Sequence, residues 1–400
     1  MAIDVKNLDI EALVTDPATR IIVCCGSGGV GKTTLAAALG VRAAESGRRV
    51  VTLTIDPAKR LAQALGLTAL DNTPRKVAGL KTTKNSPGEL HAMMLDMKRT
   101  FDEIVEAHAS SAKAAQILAN PFYQSLSSSF AGTQEYMAME KLGQLSKSGR
   151  WDLIVVDTPP SRSALDFLDA PRRLARFLDG RFIRMLLVPA KAGGRGYVKV
   201  MQAGLGLVTG AMTKLLGAQL LTDVQTFVAA MDTMFGGLRE RADATAKLLR
   251  APGTAFVVVA APEPDALREA SYFVERLVDD DMPLAGVVMN RVHRTLAPDL
   301  SGERALAVAE QLDADARGDD LLDLSAAELT AGILRVHAQR MRLHALEEKR
   351  LTGFALTHQK VRIASAPAFA DDVHDLGGLR DLATALCEDS QRRSGQPAAE

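Results

Sequence analysis

Residues 21–34 read IIVCCGSGGVGKTT, and this stretch decides the fold. Its first part, Ile21–Cys25, is continuously apolar, as in a strand that is covered on both faces of a parallel sheet. The next part, Gly26–Thr33, has the spacing G-x-x-x-x-G-K-T and leads into an Ala-rich helical pattern. A glycine-rich turn between a strand and a helix lets backbone N–H groups surround phosphate oxygens at the positive end of the helix dipole. The sequence therefore predicts a phosphate-binding loop.

The residue types in this loop predict a nucleotide with a magnesium ion. Lys32 can reach the β- and γ-phosphates, and the Thr33 hydroxyl is a ligand for Mg²⁺. A competing interpretation is the dinucleotide pattern G-x-G-x-x-G over residues 26–31, with Asp56 near the place of the acid that binds ribose. The Lys-Thr pair favours the phosphate loop, because a dinucleotide turn needs neither group there. The predicted nucleotide-binding residues of the loop are Gly26, Ser27, Gly28, Gly29, Val30, Gly31, Lys32, Thr33 and Thr34.

Two carboxylates follow apolar strand patterns. Asp157 ends the run LIVVD and precedes Thr-Pro-Pro, and Asp56 follows VVTLTI. In phosphate-loop enzymes a strand delivers a carboxylate to the magnesium ion, which is the role predicted for Asp157. Asp56 is predicted at the sheet edge where open α/β folds bind ligands, and a carboxylate there can orient the attacking water. For each residue the alternative is a cap of the following turn.

Strand and helix patterns alternate along the chain, which predicts a doubly wound, mostly parallel α/β sheet. Two stretches, 98–150 and 161–250, contain no strand pattern and are interpreted as helical insertions that form a subdomain within one domain over 1–400. Residues 388–400 are polar and are predicted to form a flexible tail. The strands are predicted at 21–25, 49–55, 90–97, 151–157, 254–261, 284–290 and 361–364.

Composition excludes several classes of function. The chain has 400 residues, and its 48 basic residues balance 48 acidic ones, so no uniform positive field attracts nucleic acid. Three cysteines without a C-x-x-C pair exclude a disulfide framework, and the seven histidines show no metal-ligand spacing. Of these, His337 and His344 lie on a helical pattern rich in Arg and Glu and are predicted at the surface. Residues 1–20 are acidic and no long apolar run follows, which predicts a cytoplasmic protein, at most peripheral at a membrane.

Six motifs occur in order between residues 20 and 382: GSGGVGKTT, TIDPAKRLAQALG, LHAMMLDM, VVDTPPSRSALDFLDAP, VVMN and IASAP. In this combination the chain resembles the arsenical pump-driving and tail-anchored-protein targeting ATPases, a branch of the deviant-Walker P-loop ATPases. The resemblance implies a dimeric Mg²⁺-ATPase in which Asp56 positions water and Asp157 acts on Mg²⁺ through water. It further implies that Asn290 contacts the adenine and that the loop at Ala366-Pro367 covers the base.

The chain departs from this family in its charges and its cysteines. The family usually carries a lysine after the first glycine of the loop, where this chain has Ser27. A serine supplies no cation, which implies slow turnover, a substitute cation, or a lysine from a related subunit. Without C-x-x-C, no zinc can join two subunits in the family's manner. Cys24 and Cys25 are consecutive on a strand, so they point to opposite faces and cannot converge on a metalloid.

The second insertion is basic over 171–200 and rich in Leu and Met beyond. It is interpreted either as a groove for a hydrophobic helix, a lipid or a membrane protein, or as the core of its subdomain. The favoured function is an ATPase that couples hydrolysis to such a partner as a homodimer or heterodimer. The alternatives are a weakly active regulatory subunit beside a lysine-bearing paralogue, and a partitioning-type surface ATPase.

Overall fold

A computed structural model describes residues 6–56, 60–82, 87–121, 123–124, 133–159, 240–295, 297–315 and 326–393. The strands are β1 (Ile21–Gly26), β2 (Arg49–Thr54), β3 (Arg75–Lys76), β4 (Glu89–Met94), β5 (Leu153–Asp157), β6 (Thr254–Ala260), β7 (Leu284–Val292) and β8 (Ile363–Pro367). The helices are α1 (Ile10–Thr15), α2 (Lys32–Glu45), α3 (Arg60–Ala64), α4 (Met97–His108), α5 (Ser111–Leu118), α6 (Thr133–Lys147), α7 (Pro264–Asp279), α8 (Gly302–Asp315), α9 (Ala326–Thr357) and α10 (Leu376–Arg393).

The eight strands form one sheet in the order β3-β4-β2-β5-β1-β6-β7-β8. Every neighbouring pair is parallel except β3 with β4. The predicted doubly wound α/β fold is therefore confirmed, and all seven predicted strands are present. The two-residue strand β3 was missed, because Arg75–Lys76 has no apolar alternation.

The sheet is buried on both faces. All six positions of β1 are buried, and successive side chains enter different apolar clusters. Cys25 belongs to one cluster and Cys24 to the other, as predicted from their consecutive positions. Burial raises the pKa of the Cys25 thiol to about 12, so this side chain is a core residue and not a thiolate ligand.

The parallel register brings the carboxyl ends of three central strands together. Cys24 of β1 and Thr54 of β2 both pair with Asp157 of β5. The glycine-rich turn that follows β1 and the carboxylate of Asp157 therefore lie at the same edge of the sheet, where open α/β folds bind their ligands.

The described part of the first predicted insertion is helical, in α4, α5 and α6. Of the second, residues 160–239 lie outside the described residues, and 240–250 are helical. The predicted tail needs correction, because α10 continues to Arg393 and the hydroxyl of the buried Ser390 donates to Leu8 O at 2.8 Å. Residues 394–400 lie outside the described part. Among the described helices, none combines the length and the apolar character that crossing a bilayer requires.

Candidate nucleotide-binding site

The glycine-rich turn joins the central strand β1 to α2. Gly26 has φ +148°, and a Cβ there would collide with the carbonyl of Val259 on the neighbouring strand. Gly31 caps α2 with φ +93°, and a Cβ there would collide with the side chain of Asn290. Both positions need glycine, since an L side chain rarely adopts these φ values and has no room. The turn thus presents the N-terminus of a helix without side chains in the way.

Lys32 lies at the centre of this turn. It is only 6% exposed, and its Nζ donates to the carbonyl of Ser27 at 2.7 Å. Burial lowers the pKa of Lys32, whereas Asp157 and Asp56 nearby raise it. The ammonium therefore bridges the two ends of the loop, where it can attract a phosphate oxygen.

Asp157 is fully buried beneath the loop. Its Oδ2 accepts hydrogen bonds from the hydroxyls of Thr33 and Thr54, both at 2.8 Å. Its Oδ1 is buried without any partner in the described part of the chain. Desolvation raises the pKa of Asp157 to about 6. A buried carboxylate oxygen with an unused lone pair, beside a threonine hydroxyl, is a donor set that fits Mg²⁺ and its coordinated water.

Asp56 lies at the same edge of the sheet. It is half-buried, and its backbone N–H donates to the hydroxyl of Thr54 at 3.2 Å. Desolvation is the main cause of the raised pKa of Asp157, and the charge of Asp56 adds to it. Gln134 of α6, which the sequence did not single out, donates to the carbonyl of Ile55 at 3.0 Å. A helix of the first insertion thus holds the residue that precedes Asp56.

Next to the loop lies a cavity of about 510 Å³. It brings together predicted residues from three parts of the chain, namely Gly31, Thr33, Thr34, Asn290 and Pro367. The structure adds residues to this wall that sequence reasoning missed, among them Arg60, Gln63, Arg291, His293 and Phe369. The signal for two of them, Arg291 and His293, was their place just after Asn290 in MNRVH, where polar side chains follow the predicted strand 284–290.

Asn290 makes contacts that explain its position. Its Nδ2 donates to the carbonyl of Val30 at 2.8 Å, and its Oδ1 accepts from the backbone N–H of Arg291 at 3.0 Å. Arg291 has φ +59°, which is uncommon for a residue with a side chain. Asn290 therefore links the glycine-rich turn to the end of β7, and its role toward an adenine stays a prediction.

A comparison with known protein families shows to which family the chain belongs. The sequence profile described as anion-transporting ATPase matches residues 19–299, which include the loop, both carboxylates and Asn290. The chain belongs to the anion-transporting ATPase family. This membership confirms the resemblance drawn from the motifs and makes the protein an ATPase that binds a nucleotide.

Individual relatives of this anion-transporting ATPase are moderately similar. ATPase GET3 from Malassezia globosa is 29% identical over 175 residues, which cover 44% of this chain and 49% of the relative. ATPase get3 from Schizosaccharomyces japonicus is 26% identical over 302 residues, 74% of this chain and 82% of the relative. ATPase ARSA2 from Chlamydomonas reinhardtii is 27% identical over 295 residues, 73% of each chain.

Proposed function

We propose that this ATPase binds Mg²⁺-ATP with its phosphates on the loop 26–33 and its nucleoside in the adjoining cavity. The observation that carries the proposal is the arrangement of Asp157, whose Oδ2 holds the Thr33 hydroxyl while its buried Oδ1 has no partner in the described structure. When bound, Mg²⁺ neutralises charge on the phosphates as the γ-phosphoryl group leaves. Thr33 would ligate the ion directly, and Asp157 would accept from one of its water molecules.

The chain's own groups supply positioning and charge. The backbone N–H groups of the loop and the Lys32 ammonium bind the phosphate oxygens. The start of α2 at this turn and the contact of Lys32 with Ser27 support these roles. Asp56 accepts a proton of the attacking water and orients its oxygen toward the γ-phosphorus. Asn290 and Pro367 border the nucleoside, in accord with their place on the cavity wall.

Two variants test these roles with purified protein. We expect Lys32→Ala to abolish ATP binding in calorimetry, because it removes the cation at the phosphates. We expect Asp56→Asn to leave ATP affinity within a few-fold and to lower kcat by about 10²- to 10⁴-fold, the usual loss for a general base. Asp71→Asn, at an exposed ion pair with Arg75, is the control and leaves both quantities unchanged. Parental turnover in Asp56→Asn would disprove the assignment of Asp56.

We further propose that the protein acts as a dimer in which ATP hydrolysis is coupled to the helical insertions. These insertions bind a hydrophobic helix, a lipid or a membrane-associated partner. The contact from Gln134 of α6 to the carbonyl of Ile55 supports this coupling, since it joins the insertion to the segment of Asp56. Co-purification from the native source followed by mass spectrometry tests the partner. Recovery of the protein without a hydrophobic or membrane-associated partner under native conditions contradicts this part of the proposal.

One observation favours a regulatory subunit as a second candidate. The hydroxyl of Ser27 is buried without a hydrogen-bond partner among the described residues, at the position where the family usually has a lysine. ATP turnover measured alone, after mixing with a lysine-bearing paralogue, and in Ser27→Lys separates the two functions. Brisk turnover of the unmixed parental protein excludes the regulatory subunit.

A further inference from the structure

The segment that leaves the nucleotide cavity after β7 is held by one face of α9. His337, Arg340, His344 and Glu347 follow each other at spacings of three and four residues, so they share this face. Each of them hydrogen-bonds His293, Arg294 or Leu300, and we call these four side chains the α9 clamp. Its bonds are His337 Nε2 with Leu300 O at 2.7 Å, Arg340 Nε with Arg294 O at 3.0 Å, His344 Nδ1 with His293 O at 2.9 Å, and Glu347 with His293.

The prediction that His337 and His344 lie at the surface needs correction, because both belong to the α9 clamp. His337 and His344 are half-buried and bind main-chain carbonyls, whereas Arg340 keeps an exposed side. Glu347 is buried, although the sequence around it, ALEEKR, reads as a solvated helix face. A buried carboxylate needs donors to offset its desolvation, and here the segment after β7 provides them.

Glu347 holds His293 through two hydrogen bonds, one to its backbone and one to its ring. Its Oε2 accepts from the backbone N–H of His293 at 2.8 Å, and its Oε1 pairs with the ring Nδ1 at 2.8 Å. An ionised carboxylate only accepts hydrogen bonds, so the proton of this contact is carried by Nδ1. The other ring nitrogen, Nε2, has no hydrogen bond to any residue that the structure describes. His293 also lines the cavity, so a ring held by Glu347 has a fixed position in the cavity wall.

The cavity has two chemically different ends. Gly31, Thr33 and Thr34 at the loop suit phosphates, whereas Pro367 and Phe369 supply the apolar and aromatic surface that suits a base. A ribose joins these two parts of a nucleotide, and its hydroxyl groups both donate and accept. A hydroxyl therefore pairs with Nε2 whether that nitrogen is bare or protonated.

We propose that His293 contacts a ribose hydroxyl of the bound nucleotide through Nε2 and that Glu347 of α9 is the residue that positions it. The inference rests on the proposed function, because it requires a nucleotide in this cavity. Holding the ring in advance lowers the entropy lost on binding, which is the reason for a buried carboxylate at this point. It also makes the long helix α9 part of the wall that meets the nucleoside.

The test compares ATP with 2′-deoxy-ATP and 3′-deoxy-ATP by calorimetry. We expect the parental protein to prefer ATP over one of the two analogues by about 3- to 10-fold, the value of one hydrogen bond. His293→Asn keeps a donor for Glu347 but lacks the outer edge of the ring, so the preference disappears. His293→Gln places an amide near the position of Nε2 and retains part of the preference. Glu347→Gln reduces the preference, and the exposed neighbour Glu348→Gln leaves it unchanged.

Several results would overturn the inference. One is the absence of any preference between ATP and either analogue in the parental protein. Another is an undiminished preference in His293→Asn. A third is an equal loss of affinity for ATP and both analogues in Glu347→Gln, because that result means the clamp only holds the chain. Failure of the parental protein to bind ATP at all is a different outcome, which contradicts the proposed function before any variant is made.

Discussion

Replacing Asp157 with Asn is expected to stabilise the metal-free protein while it removes ATP turnover. The carboxylate is fully buried, and desolvation raises its pKa from 3.8 to about 6. Above pH 6 the group is charged in both the folded and the unfolded chain, so the folded state bears the whole cost of the buried charge. Each unit of pKa difference corresponds to about 1.4 kcal/mol, so this cost is about 3 kcal/mol.

The gain is smaller than this cost for one reason. The amide oxygen of Asn still accepts from Thr33 and Thr54, but its amide nitrogen replaces an oxygen that has no described partner. An unsatisfied buried donor costs about 1 kcal/mol or more, so a net stabilisation of about 1–2 kcal/mol remains at pH 7.5. As the pH falls through 6, the folded parental protein binds the proton and its penalty declines. About half of it remains at pH 5, and none below the unfolded pKa.

Urea denaturation in EDTA at pH 7.5 and pH 5.0 measures this effect. The matched control is Asp152→Asn on the same segment, where the Arg49 guanidinium holds the pKa of Asp152 down at about 2. A lowered pKa stabilises the folded state at both pH values, so this control is expected to lose stability at each. The reasoning is refuted if Asp157→Asn is less stable than the parental protein at pH 7.5, or if its gain is the same at pH 5.0.

Other variants test the loop, the core and the contact with the insertion. Gly26→Ala is expected to lower the free energy of unfolding by more than about 2 kcal/mol, because the methyl group would meet the carbonyl of Val259. Gly29→Ala, with open space around its Cβ, should cost only about 1 kcal/mol for its positive φ. Arg48→Met leaves three carbonyls without their donor and should cost about 3 kcal/mol or more in urea denaturation. Gln134→Ala should lower kcat several-fold with little change in ATP affinity by calorimetry, and an unchanged kcat would contradict the coupling to α6.

Local sequence was sufficient for seven of the eight described strands and for the glycine-rich loop. Strands such as Ile21–Gly26 are short apolar runs between turn residues, and the pattern that predicts them needs no knowledge of distant contacts. The same holds for the glycines, because positive φ at Gly26 and Gly31 is a local demand of the turn. The positions of Asp56 and Asp157 at the sheet edge were also predicted, since a residue at the end of a buried parallel strand has a defined place there.

The cavity wall was predicted only in part. Asn290 and Pro367 came from the resemblance to a family, and Arg60 and Phe369 carried no pattern of their own. The largest difference concerns α9, where Glu347 and its neighbours look like a charged, solvated face in the sequence. Their partners are main-chain atoms of His293, Arg294 and Leu300 and the ring of His293, and sequence patterns do not report hydrogen bonds to such distant groups.

By itself the sequence determined a glycine-rich loop between a strand and a helix of a parallel α/β sheet, because glycine spacing and apolar runs act over a few neighbouring residues. Only the tertiary structure decided that Asp157 is buried with one oxygen that has no partner among the described residues, and that Glu347 holds His293 at the cavity. Both outcomes depend on which distant residues pack around each buried charge, because in a low-dielectric interior only the neighbouring donors and charges stabilise it.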